Sequence, residues 1–179
     1  MRRVCIIILV MSALLASGCI NEDEKVGAAS VPTENLPEGF KLLAVLNDST
    51  SGVNMTSEIN EFYGDQDIGE VVATVGVYQW GQWGDYDARV TLISCKDVSH
   101  ANAAVSNYLS QKKYKNPPFK GVERFSVAMV NGREVTEVRD SVGEEIRYKY
   151  VWNNESLVVL VEGNMDRAKS IELASATNL

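Results

Sequence analysis

Most of this chain alternates apolar and polar residues at the spacing of a strand, and three stretches switch to the spacing of a helix. Residues 40–46 read as a first strand, followed by a polar loop over 47–54. Residues 56–63 read as a short helix, with Thr56 as its cap and Ile59, Phe62 and Tyr63 on one side. Two β-rich runs follow, 71–80 and 88–95; in the second, Arg89 and Thr91 alternate with Val90 and Leu92. Asp97 or Ser99 then caps a helix to about residue 112, where Ala101, Ala104, Val105, Tyr108 and Leu109 share a face. Asn116-Pro117-Pro118 cannot continue it.

The second half predicts four strands and a helix. Residues 125–130 and 133–139 flank Asn131-Gly132, the strongest hairpin signal in the chain. Ile146, Tyr148, Tyr150 and Trp152 alternate with Arg147 and Lys149 in a half-buried strand. Asn153-Asn154 is expected to turn that strand into the apolar run 157–161, which has the character of a central strand. Asn164 is expected to cap a last helix carrying Met165, Ala168, Ile171 and Ala174. The order is β-α-β-β-α-β-β-β-β-α. Strands joined by short turns are antiparallel. The expected fold is therefore α+β: one domain, mainly an antiparallel sheet of six to seven strands with two to three helices packed on it. The β-β-α order of 71–112 recurs at 146–176 without sequence identity between the two halves.

The N-terminus follows a different logic. Arg2 and Arg3 precede an apolar run over 4–16, and Ala16-Ser17-Gly18-Cys19 places small residues before a cysteine. This is the order of a secretory signal, and its apolar run is shorter than the roughly 20 residues a membrane-spanning helix needs. The last four residues resemble the lipobox of prokaryotic lipoproteins. That resemblance implies cleavage before Cys19 and a diacyl lipid on its thiol. Ordinary signal cleavage is the alternative. Two acyl chains hold a protein on a membrane stably, at about 0.8 kcal/mol per buried methylene. The chain then divides into a signal peptide (1–18), a lipidated cysteine with a charged and Pro-punctuated flexible tether (19–39), and a globular domain (40–179). With its acidic balance and its scattered Asn-X-Ser/Thr sites, the chain resembles uncharacterised lipoproteins of methanogenic archaea. The resemblance implies an extracytoplasmic location, anchored to the membrane by N-terminal lipid.

The formal charge of the 179-residue chain is −7, and loss of Arg2 and Arg3 makes the mature chain more acidic still. Such a balance repels nucleic acid, so no nucleic-acid partner is expected. Of three cysteines, Cys5 leaves with the signal and Cys19 carries the lipid; Cys95 has no mate for a disulfide and reads as a buried apolar residue. Stability must come from burial.

Chemistry-bearing residues are sparse. His100 is the single histidine, and there is no G-x-S-x-G turn. A Cys95–His100 pair is a legitimate catalytic arrangement, but the strand and helix assignments point the two apart. Asp65, Asp67 and Glu70, and Asp85 with Asp87, are carboxylates in loops without the spacing of a calcium loop, so neither a metal nor a cofactor is expected. Lys112, Lys113, Lys115 and Lys120 cluster at the end of the second helix. Asn47, Asn54 and Asn154 head N-glycosylation sequons in expected loops.

The best contact candidate is the tip between the second and third strands, where Trp80, Trp83, Asp85, Tyr86 and Asp87 are interleaved with glycines and amides. Exposed aromatics beside amides stack on sugars or dock a partner. The other reading packs Tyr78 and Trp80 in the sheet and folds Trp83 over its edge. The expectation is a non-catalytic envelope binding or accessory module for a partner protein, small ligand or glycan. The alternatives are a structural envelope component and, third, an enzyme using an unrecognised carboxylate site.

Overall fold

The computed structural model describes residues 30–80 and 86–179. One seven-stranded antiparallel sheet dominates it, in the order β1-β2-β3-β7-β6-β5-β4. The strands are β1 (Phe40–Leu46), β2 (Val72–Trp80), β3 (Tyr86–Ser94), β4 (Phe125–Val130), β5 (Arg133–Val142), β6 (Glu145–Asn154) and β7 (Leu157–Glu162). Three helices pack on it: α1 (Met55–Glu58), α2 (Val98–Leu109) and α3 (Arg167–Ser175). The chain is thus a single α+β unit, in the expected order of elements. Among the described residues, no helix is long and apolar enough to cross a membrane.

Period-two alternation sends each strand's residues to two faces, and both are covered. On one face, α1, α2 and the 3-10 turn at Asn60–Phe62 lie over Val75, Ile93, Val138, Val151, Val158 and Leu160. On the other, α3 buries Leu173 and Ala174 against Val90, Val135, Tyr150, Val159 and Val161. This explains the unbroken apolar run of β7. It is a central strand, and four of its residues are buried on alternating sides.

The N-terminal boundary differs from expectation. Val31 and Pro32, assigned to the flexible tether, are buried on the α3 face, and the Tyr78 hydroxyl donates to the Pro32 carbonyl at 2.7 Å. A phenol deep in a sheet needs an acceptor, and this segment supplies it. Gly76 makes the arrangement fit, since a Cβ there would lie 2.6 Å from that hydroxyl. The packed unit therefore begins by Val31 rather than Phe40.

Local assignments also shift. Asn54, not Thr56, caps α1; its side chain accepts from the Ser57 amide, and the helix gives way to the 3-10 turn after one turn. α2 is capped by Asp97 and ends at Leu109, before a second 3-10 turn at Lys112–Tyr114. β6 runs through Asn153 and Asn154, and the turn falls at Glu155-Ser156, with Glu155 at φ 53°. Asp166, not Asn164, caps α3, its carboxylate accepting from the Lys169 amide. Asn131 and Gly132 both have positive φ, 50° and 78°, as the expected type I′ turn requires.

Candidate functional site

The residues singled out in the sequence do not converge on one site. Cys19, Trp83 and Asp85 lie outside the described residues. Tyr86 and Asp87 open β3, opposite Trp80 and Gln79 of β2. Trp80 is half-buried and tilts against Phe40, with ring centroids 6.2 Å apart, while Tyr78 is fully buried. These two side chains take the packing role. Asn47 closes its own loop, its side-chain oxygen accepting from the Ser49 amide and hydroxyl. Asn54 is exposed at the α1 cap, and Asn154 is half-buried at the end of β6.

Cys95 is 4% exposed, and burial, with Asp97 adding to it, pushes its thiol up to about 11. His100 turns instead to Asp97, its Nδ1 lying 2.7 Å from the carboxylate. Cys95 and His100 thus have separate surroundings. Asp67 closes a turn by accepting from the Gly69 amide. Among the described residues, no group of three or more His, Cys, Asp or Glu side chains is placed to hold a metal ion.

Two ionic networks emerge that strand alternation hides. On the α2 face, Lys149 is almost buried and bridges Asp140 (3.1 Å) and Glu162 (2.9 Å). Arg124 joins Asp140 at 3.2 Å and lies over the Tyr114 ring. Burial would lower the Lys149 pKa, but Glu162 and Asp140 outweigh it and hold the ammonium above its usual range. On the α3 face, Glu137 is fully buried and receives Ser126 Oγ (2.9 Å), Arg139 Nε (3.0 Å), Arg167 Nε (2.6 Å) and the Tyr150 hydroxyl (3.3 Å). Every charge here has partners within the chain, which is the pattern of structural pairs. Both networks stand on β5 and β6, and they fix the register of the sheet's far end.

Among the described residues, that far end carries the most exposed apolar surface of a single strand. β4 is an edge strand, and Phe125, Val127 and Met129 are 37%, 65% and 55% exposed on the α2 face. α2 covers β6 and β7 and stops short of β4. A groove of about 320 Å³ lies between them, lined by Val105 of α2 and by Val127, Glu134, Thr136, Val151 and Asn153. The Arg139 amide donates to the Arg124 carbonyl at 2.8 Å. In the β4–β5 register this places Arg124, Ser126, Ala128 and Val130 in the hydrogen-bonded pairs. The amides and carbonyls of Phe125, Val127 and Met129 therefore point away from β5, along the free edge. This surface was not among the sequence candidates. The alternation of 125–130 was readable, but the position of that strand at the border of the sheet was not.

The chain matches no family model, and no curated protein and no solved structure is significantly similar to it.

Proposed function

We propose that this chain is an exported lipoprotein, held on the membrane through Cys19, that works by non-catalytic contact as a binding or accessory module of the cell envelope. The Arg2–Arg3 start, the short apolar run and the Ala16-Ser17-Gly18-Cys19 ending support the export and anchoring half of this reading. The observation that carries the contact half is the edge of β4, where three apolar side chains stand together with main-chain groups that have no partner among the described residues. Folded monomers usually protect such an edge, because its free N–H and C=O groups are a ready template for pairing with another strand. This reading places the contact surface at β4; of the Trp80–Asp87 tip, Trp80 tilts against Phe40, and Trp83 and Asp85 lie outside the described residues.

Two variants test the halves separately. Cys19→Ser should release the chain from washed membranes or block its processing. Val127→Lys should leave the fold of the single chain intact, read by circular dichroism, because that side chain is 65% exposed within it, yet abolish the complex that the parent shows on native gels of mild membrane extracts. Retention of the Cys19→Ser chain on membranes at the parent's mature mass contradicts the anchor. An unchanged complex with Val127→Lys contradicts the contact surface.

A further inference from the structure

We propose that the occupant of the β4 edge is a second copy of this chain, paired antiparallel through β4 about a two-fold axis at Val127. The inference rests on reading β4 as a contact surface, and it names the partner.

The two borders of the sheet differ. β1 carries Lys41 and a bulge between Leu42 and Ala44 that interrupts its pairing. Charge and bulges are the devices that keep an edge from pairing. β4, Phe-Ser-Val-Ala-Met-Val, has no charged residue, no proline and no break in its register with β5. It is regular over its whole length, on the side where its apolar residues are exposed.

The strand is also complementary to itself. Pairing about Val127 sets Val127 opposite Val127 and Phe125 opposite Met129, all on the α2 face. Those three residues have the outward main-chain groups, so the three opposed pairs exchange six hydrogen bonds. Aromatic and aliphatic side chains meet directly across the junction, as favourable cross-strand pairs do. A pairing one residue out of this register would set inward-bonded groups against outward ones and lose the bonds. The charges agree as well. The Phe125 end lies beside Tyr114, with ring centroids 5.9 Å apart, and Lys113, which also pairs with Glu61, lies over that ring. The Met129 end lies beside exposed Glu134 on β5. Antiparallel pairing turns the Lys113 side of each copy toward the Glu134 flank of the other.

The two-fold axis stands perpendicular to the sheet, so both copies keep α2 on the same face. The result is a continuous fourteen-stranded sheet. With strands about 4.8 Å apart and α2 centred over β6 and β7, the two helices flank a trough about 20 Å wide. Its floor is β5 and β4 of both copies. The half-groove beside Val105 in one copy becomes a complete channel only in the pair.

The test uses the full lipid-anchored chain in its own membranes. Val127→Cys should cross-link with a short bis-maleimide to a product of twice the chain's mass, since opposed residues in such a pair stand about 5.5 Å apart at Cα. Val72→Cys, on β2 and also more than half exposed, should not. In detergent extracts the parent should sediment as a dimer, and Val127→Lys should weaken association at least tenfold. A monomeric parent with no cross-link at Val127→Cys overturns the proposal, as does a cross-linked product whose mass is not twice the chain's. The underlying contact reading fails separately: a native-gel complex left intact by Val127→Lys contradicts it whatever the partner.

Discussion

Replacing Glu137 with glutamine should destabilise the fold by about 2–3 kcal/mol at neutral pH. The carboxylate is fully buried and collects four donors, two of them guanidinium groups, at 2.6 and 3.0 Å. Breaking a fully buried ion pair from one side costs roughly 3–5 kcal/mol. The lower figure applies because the arginines are not stranded: the Arg167 side chain is 47% exposed and Arg139 25%, so both can turn to water. The Tyr150 hydroxyl keeps a second acceptor in the Arg167 carbonyl at 3.4 Å. What remains is a glutamine amide that offers two N–H groups to a site built from donors, about 1–3 kcal/mol of unmet hydrogen bonding. For a chain of this size the loss lowers the melting temperature by about 4–12 °C.

The same residue predicts a pH dependence. Burial alone would raise the Glu137 pKa; the bonds from Ser126, Arg167 and Arg139 outweigh it and hold the carboxyl below the ordinary glutamate value. A group lowered on folding stabilises above its unfolded pKa, near about 4.3, and loses that contribution as pH falls through the folded value. Urea unfolding of parent and Glu137→Gln from pH 7 to pH 3 should show a gap that is constant above about pH 5 and closes below it. A gap under about 0.5 kcal/mol at pH 7, or one that does not narrow in acid, would refute this account of the network.

Further outcomes follow from the same geometry. Gly132→Val forces a β-branched residue to φ 78° in a tight turn and should cost about 1 kcal/mol or more, read by thermal melting; an unchanged melt contradicts the turn assignment. Cys95, buried and with its thiol pushed up to about 11, should resist alkylation at pH 8 in the native chain and react on unfolding, followed by peptide mass; rapid native labelling contradicts its burial. Lys149→Met leaves Glu162 and Asp140 facing one another without their shared cation and should destabilise by about 3 kcal/mol, whereas Lys169→Met, at an exposed i,i+3 pair with Glu172, should change stability by less than about 0.5 kcal/mol. Comparable effects of the two lysine variants would contradict the distinction between buried and surface pairs.

Local signals in this chain were strong where one residue decides the geometry. Asn131-Gly132 announces its turn because two positive φ values admit few other pairs, and the long strands announce themselves by alternation. Asn153-Asn154 misled for the same reason: asparagine is a turn residue by propensity, yet pairing with Val158 and Leu157 of β7 keeps both in the ladder, and the turn moves to Glu155. Val31 and Pro32 read as linker because two apolar residues make no pattern; what recruits them is the Tyr78 hydroxyl, forty-six residues away in sequence. Glu137 and Lys149 resemble ordinary outward charges of half-exposed strands. Their burial follows from α3 and the Lys112–Tyr114 region closing over both sides of β5 and β6, which is long-range information. The β4 edge was missed on the same ground. Tryptophans draw attention wherever they stand, whereas the exposure of Val127 and Met129 depends on the strand order of the sheet.

Hydrogen exchange at three amides tests most directly the claim that the β4 edge is the working surface. In the full chain as expressed in its own cells, the Phe125, Val127 and Met129 amides should exchange as slowly as their neighbours Ser126 and Ala128, which bond within the sheet. In the Val127→Lys chain, the amides of Phe125, Met129 and the substituted residue between them should become fast, while Ser126 and Ala128 stay protected. Fast exchange at Phe125, Val127 and Met129 in that parent chain would mean that the edge stands open, and would contradict the claim.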